Sequence, residues 1–132
     1  MTRVVLDASA VTAVLRGEAG HENVIPHLRG SIISSVNLAE VFCISRNKGS
    51  PVDVIDHAIR RMQIERVPFD DEQARIVADI YPRTLGSTVG LADRACMALG
   101  LLHGLPVLTG DHEWLKHDIG LTVRLFRERK TQ

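Results

Sequence analysis

Four acidic residues are notable for where they fall: Asp7, Glu40, Asp93 and Asp111. Asp7 closes the run RVVL, Asp111 follows PVLT by one glycine, and Asp93 opens an apolar stretch. Glu40 sits inside NLAEVFCI, between Ala39 and Val41 and close to Phe42. Taken singly, Asp7, Asp93 and Asp111 read as helix caps, because a carboxylate at a helix start accepts backbone N–H bonds and meets the positive end of the dipole. Glu40 resists that reading, since a helix capped by Ser34 or Ser35 places it beyond the first turn; a polar stripe with Asn37, Arg46 or Asn47 is its other explanation. Burying an ionised carboxylate is costly unless it is paired or binds a metal. Carboxylates gathered within a few ångströms raise one another's pKa and stay ionised together only around a cation. An all-oxygen set selects a hard ion, Mg²⁺ or Mn²⁺, over zinc. Such a site suits phosphodiester hydrolysis, in which the metal activates water and stabilises the attacking and leaving oxygens.

The elements that must position these acids alternate between short β-branched runs and helical patterns. Arg3 to Leu6 reads as a buried strand, followed by a helix over AVTAVLRG that ends at Gly17, a second short helix over 20–29, and a strand at SIIS. Ser34 or Ser35 caps NLAEVFCISRNK, Pro51 opens VDVIDHAIRRM at its first turn, and Ile64 to Phe69 is a strand. Asp70 and Asp71 precede the helix EQARIVADIYPRT. GLADRACMALGLLHG is apolar almost all round and predicts a buried helix or one covered by a second subunit. PVLT, DHEWLKHDIG and LTVRLF complete the pattern as strand, short helix and strand. Strands separated by helices imply a parallel sheet covered on both faces, with its site at the carboxyl ends of the strands where the strand order switches. Asp7 and Asp111 both fall at or just beyond such ends.

With 132 residues, the chain reads as one domain, 1–132, with a core over about 3–126 and a basic C-terminal tail at 127–132. Apolar residues make up 45% and charged residues 24%, with no run long enough to span a bilayer and no signal-peptide pattern in MTRVVLDASA, so a soluble, cytoplasmic protein is expected. Cys43 and Cys96 lie in apolar helical patterns without CxxC spacing, which predicts free core thiols in a reducing compartment. Sixteen basic and sixteen acidic residues cancel, so any nucleic-acid contact must come from a local patch.

The segments VVLDASA, SSVNLAEV, GLADRACMALG and VLTGDHEW resemble, in order, the four motifs of the PIN domain, and closely those of the VapC ribonuclease toxins of type II toxin–antitoxin pairs. The resemblance runs from Arg3 to about Phe126. It implies a PIN-like (Rossmann-like) α/β fold with a parallel sheet of about five strands between helices. It places the metal-binding and catalytic acids on Asp7, Glu40, Asp93 and Asp111, with Ser9 and Thr109 as hydroxyls that orient carboxylates or water. It further implies Mg²⁺- or Mn²⁺-dependent endoribonuclease activity on tRNA or rRNA, leaving a 5′-phosphate and a 3′-hydroxyl, in a homodimer checked by a VapB-type antitoxin that inserts a basic side chain into the acidic pocket.

Arg94 is a candidate for the rim of the site or for pairing with a carboxylate, and Arg124, Arg127, Arg129 and Lys130 form a basic C-terminal patch suited to phosphate contact. Glu113 is a candidate fifth acid or a solvated residue of its helix. His112 and His117 lack partner ligands at metal spacing, and Trp114 reads as core. With aromatics at 4% there is no stacking platform for single-stranded RNA. Two other functions fit the pattern less well. One is a PIN nuclease of RNA maturation or decay without an antitoxin. The other is a Mg²⁺-binding receiver-type module without hydrolysis, which has no use for a mid-helix Glu40.

Overall fold

A computed structural model describes residues 3–129, and Lys130 of the basic patch lies outside them. Five strands, β1 (Val5–Leu6), β2 (Ile32–Ser34), β3 (Glu65–Val67), β4 (Val107–Thr109) and β5 (Val123–Leu125), form one sheet in the order β3-β2-β1-β4-β5. Every pairing is parallel. The strands are shorter than their apolar runs, two or three residues each. Six helices connect them: α1 (Ala8–Arg16), α2 (His21–Val24), α3 (Ser35–Asn47), α4 (Val52–Arg61), α5 (Asp71–Ile80) and α6 (Leu91–His103).

Successive strand residues feed opposite faces, the period of two that a strand imposes. Leu6, Ile33 and Leu108 face α1, α3 and α4 in a core with Val11, Val41, Ile55 and Ile59. Val5, Ile32 and Val107 face the other way and pack with Ile80, Met97, Leu99 and Trp114. The three central strands are therefore buried on both sides, as their apolar runs predict, whereas the edge strands β3 and β5 carry charged residues.

Local chemistry sets the helix boundaries. Ser34 rather than Ser35 caps α3, its hydroxyl accepting from Val36 N at 3.2 Å, while Ser35 Oγ accepts from Phe69 N at 3.1 Å. Asp70 caps α5 by accepting from Gln73 N. Pro51 is itself the residue before the first turn of α4, one place earlier than predicted. The segment over 20–29 divides into α2 and a 3-10 turn, Ile25–His27, that begins just before Pro26, and the short helix after Asp111 is a 3-10 turn, His112–Lys116.

Both cysteines are free, but only Cys96 is a core thiol. Cys43 is exposed on α3 beside Arg46 and Asn47, because the helix turns its Leu38–Val41–Ser45 face inward and Cys43 falls outside that arc. In α6 the all-round apolar pattern is buried from Ala95 to Gly100, whereas Leu91 at its start is 66% exposed. Among the described residues no helix is long and apolar enough to cross a membrane.

Candidate active site

The order of the sheet switches at β1 and β4: the chain steps outward from β1 to β2 and β3, then returns to the other side of β1 for β4 and β5. Neighbouring connections diverge at that point and leave a crevice at the carboxyl ends of the two strands. Asp7 follows β1 there, and Asp111 lies two residues beyond β4. Glu40 reaches the same cleft from α3 and Asp93 from the first turn of α6. The cleft encloses about 690 Å³, and all four acids line it.

Each acid accepts at least one hydrogen bond from the protein. Ser9 Oγ and Thr109 Oγ1 donate to Asp7 Oδ2 at 2.7 and 2.8 Å. The same hydroxyls accept from the next strand's loop, Ser9 from Gly110 N at 3.0 Å and Thr109 from Asp111 N at 3.1 Å. Thr109 thus fixes two of the acids relative to each other. Asp93 Oδ2 accepts from Gly90 N at 3.1 Å, and Asp111 Oδ1 from Glu113 N at 3.0 Å, so both do act as caps. Glu40 Oε1 accepts from Asn37 Nδ2 at 2.9 Å, and that amide also donates to Ala92 O at 3.0 Å, tying α3 to the start of α6. Asn37, seen in the sequence only as a neighbour on the polar stripe, is fully buried and couples Glu40 to the residue before Asp93.

Electrostatically the cleft is under strain. Burial holds the Asp7 carboxyl above its ordinary range, against the lowering effect of Ser9, Thr109 and the backbone of Ala8 and Ser9. Glu40 is raised by burial and then by the charges of Asp7 and Asp93, with Asn37 opposing. Asp93 is raised by burial and by Asp7 and Asp111, against the Gly90 hydrogen bond and Arg94. The Cys96 thiol, buried beneath them, is pushed well above its ordinary value by burial and the same negative charges, which keeps it protonated and unreactive. None of the four acids is in an ion pair among the described residues.

The donors are oxygen throughout, and this excess of negative charge is what a hard divalent cation offsets. Among the described residues no three His, Cys, Asp or Glu side chains already stand together as an ion cage, so the four acids share a cleft without closing on a point.

Of the other candidates, Arg127 and Arg129 line the cleft and Arg94 does not: Arg94 Nε donates to Thr84 Oγ1 at 2.7 Å, with its guanidinium 4.7 Å from the Tyr81 ring centre. Arg124 is exposed on β5 beside a smaller pocket lined by Gly100 and Leu121. Glu113 pairs with Lys116 at 2.9 Å and does not line the cleft. His112 lines it, but its Nε2 is 3.0 Å from Arg127 O, and His117 Nδ1 is 3.2 Å from Arg83 O. Trp114 is fully buried. Several lining residues escaped the sequence reading, among them Glu128, Glu18 and Thr12. Glu18 follows the end of α1 with no local signal of a site, and Thr12, 7% exposed, has a hydroxyl without a hydrogen-bond partner.

Replacing Thr109 by Val keeps its shape and removes the hydroxyl that joins Asp7 to Asp111. We expect Mn²⁺ affinity to fall about ten- to a hundredfold, the usual effect of losing a group that orients ligands. Calorimetric titration of Mn²⁺ into both proteins checks this, and equal affinities would rule out the orienting role.

Fold and site together describe an α/β protein with a carboxylate-lined cleft at the switch point of a parallel sheet. The model of the PIN domain matches residues 4–119, and the chain belongs to that family. No curated protein matches it in sequence. Solved structures with the same fold include DNA-bound VapBC from Salmonella typhimurium (TM-score 0.73, 17% identity, 96% of this chain and 99% of that one). A toxin–antitoxin complex from Klebsiella pneumoniae (0.76, 16%, 96% and 99%) and VapBC-5 from Mycobacterium tuberculosis (0.62, 22%, 97% and 100%) share it as well.

Proposed function

We propose that this chain is the toxin of a type II toxin–antitoxin pair, a Mg²⁺- or Mn²⁺-dependent endoribonuclease acting on tRNA or rRNA and silenced by a VapB-type antitoxin. The observation that carries the nuclease reading is the convergence of Asp7, Glu40, Asp93 and Asp111, unpaired, on one cleft. PIN domains are nucleases that generally use divalent metals, which supports it. The toxin role draws its support from neighbours in fold that are themselves toxin–antitoxin complexes.

Asp7, Glu40, Asp93 and Asp111 would hold the cation, which when bound polarises water and offsets charge at phosphorus. Ser9 and Thr109 keep Asp7 in one rotamer, and Asn37 does the same for Glu40. Hydrolysis breaks the P–O3′ bond, leaving a 5′-phosphate on one fragment and a 3′-hydroxyl on the other. An antitoxin arginine entering the cleft would substitute for the metal's charge and stop the reaction.

The test is cleavage of bulk tRNA and rRNA by the wild type and Glu40→Gln, with Mg²⁺ or Mn²⁺ and with chelator, alongside growth of cells expressing each. Metal-dependent cutting and growth arrest, both lost in Glu40→Gln, are expected. Cutting that survives chelator counts against the mechanism, and growth unaffected by an active enzyme counts against the toxin role.

A further inference from the structure

The segment after β5 does not leave the molecule at once. Phe126 is 2% exposed and its N–H donates to Thr109 O at 3.2 Å, extending the sheet contact past the strand. The next two carbonyls each have a side-chain partner: Asn23 Nδ2 donates to Phe126 O at 2.9 Å, and His112 Nε2 lies 3.0 Å from Arg127 O. Two glycines make room for this passage. A Cβ on Gly20 would stand 2.5 Å from Phe126 O and 2.8 Å from Arg127 Cβ, and one on Gly110 would collide with the Arg127 guanidinium.

The consequence is a fixed arginine at the acidic cleft. Its guanidinium lies against the backbone of the residue before Asp111 and lines the cleft with the four acids. Its protein contacts are loose: Nε to Gly110 O at 3.5 Å, Nη1 to Glu18 Oε1 at 3.8 Å, and the guanidinium 5.0 Å from the Phe126 ring centre. A guanidinium carries five N–H donors, so most of this one's capacity is unspent while its position is already set. A cation placed beside a metal-dependent hydrolytic site, with its fork open, matches a phosphate.

We infer that Arg127 is a substrate-binding residue that grips a backbone phosphate of the RNA beside the one attacked, held in place by the Gly20, Asn23, Gly110 and His112 clamp. The inference rests on the nuclease reading above. It assigns to Arg127 a geometry that separates it from Arg124, which carries the same charge outside the cleft, and from Arg129, which lines the cleft as an exposed residue.

The experiment measures binding of a short fluorescein-labelled single-stranded RNA of mixed sequence to Glu40→Gln protein, which retains the clamp, over a salt series. Adding Arg127→Ala should weaken binding about tenfold at low salt and reduce the slope of log affinity against log salt by about 0.7, the contribution of one phosphate contact on a single strand. Arg127→Lys should keep the slope and lose part of the affinity, because charge remains and the fork is gone. Gly110→Ala, which leaves the charge and displaces the guanidinium, should weaken binding severalfold. Thermal melts of each variant report whether the fold is intact, and the Lys and Gly110 variants decide the matter if Arg127→Ala does not fold. An unchanged slope in Arg127→Ala, an equal loss in Arg124→Ala, an unaffected Gly110→Ala, or absence of RNA binding by the parent would each overturn the inference. Arg127-dependent binding by a wild type that cuts no RNA would remove the nuclease reading and leave the phosphate contact standing.

Discussion

Replacing Asp7 by Asn should slow cleavage at least about a hundredfold and, in chelator, make the protein harder to unfold. Asp7 is 5% exposed, and burial holds its carboxyl above the usual range. Asparagine keeps an oxygen to accept from Ser9 and Thr109, and it removes a charge that Glu40 and Asp93 both feel. An acid whose pKa is higher folded than unfolded binds more protons in the folded state between the two values. Metal-free stability therefore falls as pH rises through that window, starting near the ordinary carboxylate pKa, and the penalty is constant above the folded value. Thermal melts in chelator across the carboxylate range should show this decline in the wild type, and a shallower one in Asp7→Asn with a midpoint a few degrees higher at neutral pH.

Metal should reverse the order. A ligand at a hundred times its dissociation constant stabilises the folded state by about 2.7 kcal/mol, and only the wild type should gain it. The rate of RNA cleavage should drop by at least about a hundredfold, as when one preorganised charge-stabilising group is removed. A variant less stable than the wild type in chelator, with the same pH dependence, would show that Asp7 is held by structure and not in tension with it.

Trp114→Ala should cost about 3–5 kcal/mol, the range for deleting a buried large aromatic, and should also lower activity below the melting point. Trp114 is fully buried in the core that includes Val5, Ile32, Met97 and Val107. It anchors the 3-10 turn that Asp111 caps, so a cavity there loosens the backbone that orients Asp111. Its Nε1 has no hydrogen-bond partner, so Trp114→Phe forfeits packing alone and should retain most of the stability. Urea unfolding with parallel cleavage assays checks both variants. A loss under about 1 kcal/mol in Trp114→Ala would mean that the core closes over the gap and the turn stands by itself.

What sequence by itself determined were features whose cause is local. Apolar runs broken by helix-period segments specify a parallel α/β sheet, because strands buried on both faces have no polar side to show. Serine and aspartate before helical patterns mark starts at Ser34 and Asp70, since one side chain satisfies its own nearby N–H. Glu40 was legible as a charge that no helix cap explains, and of its two readings, polar stripe and cleft, the structure shows both: it accepts from Asn37 and lines the cleft.

What only the tertiary structure decided depends on which distant segments meet. Asp7 and Asp111 share Thr109 because β1 and β4 are neighbours in the sheet, which their separation in the chain does not reveal. Arg94 and Arg127 look alike as basic residues near an acid. One is drawn away to Thr84 and Tyr81, and the other is clamped into the cleft through Asn23 and His112. Cys43 and Cys96 sit in similar apolar patterns, yet one is exposed and the other buried, since a helix's rotation against the sheet fixes which of its faces turns inward. Periodicity and capping act within a few residues and are written in the chain. The direction of a long side chain is chosen by partners that only folding brings near.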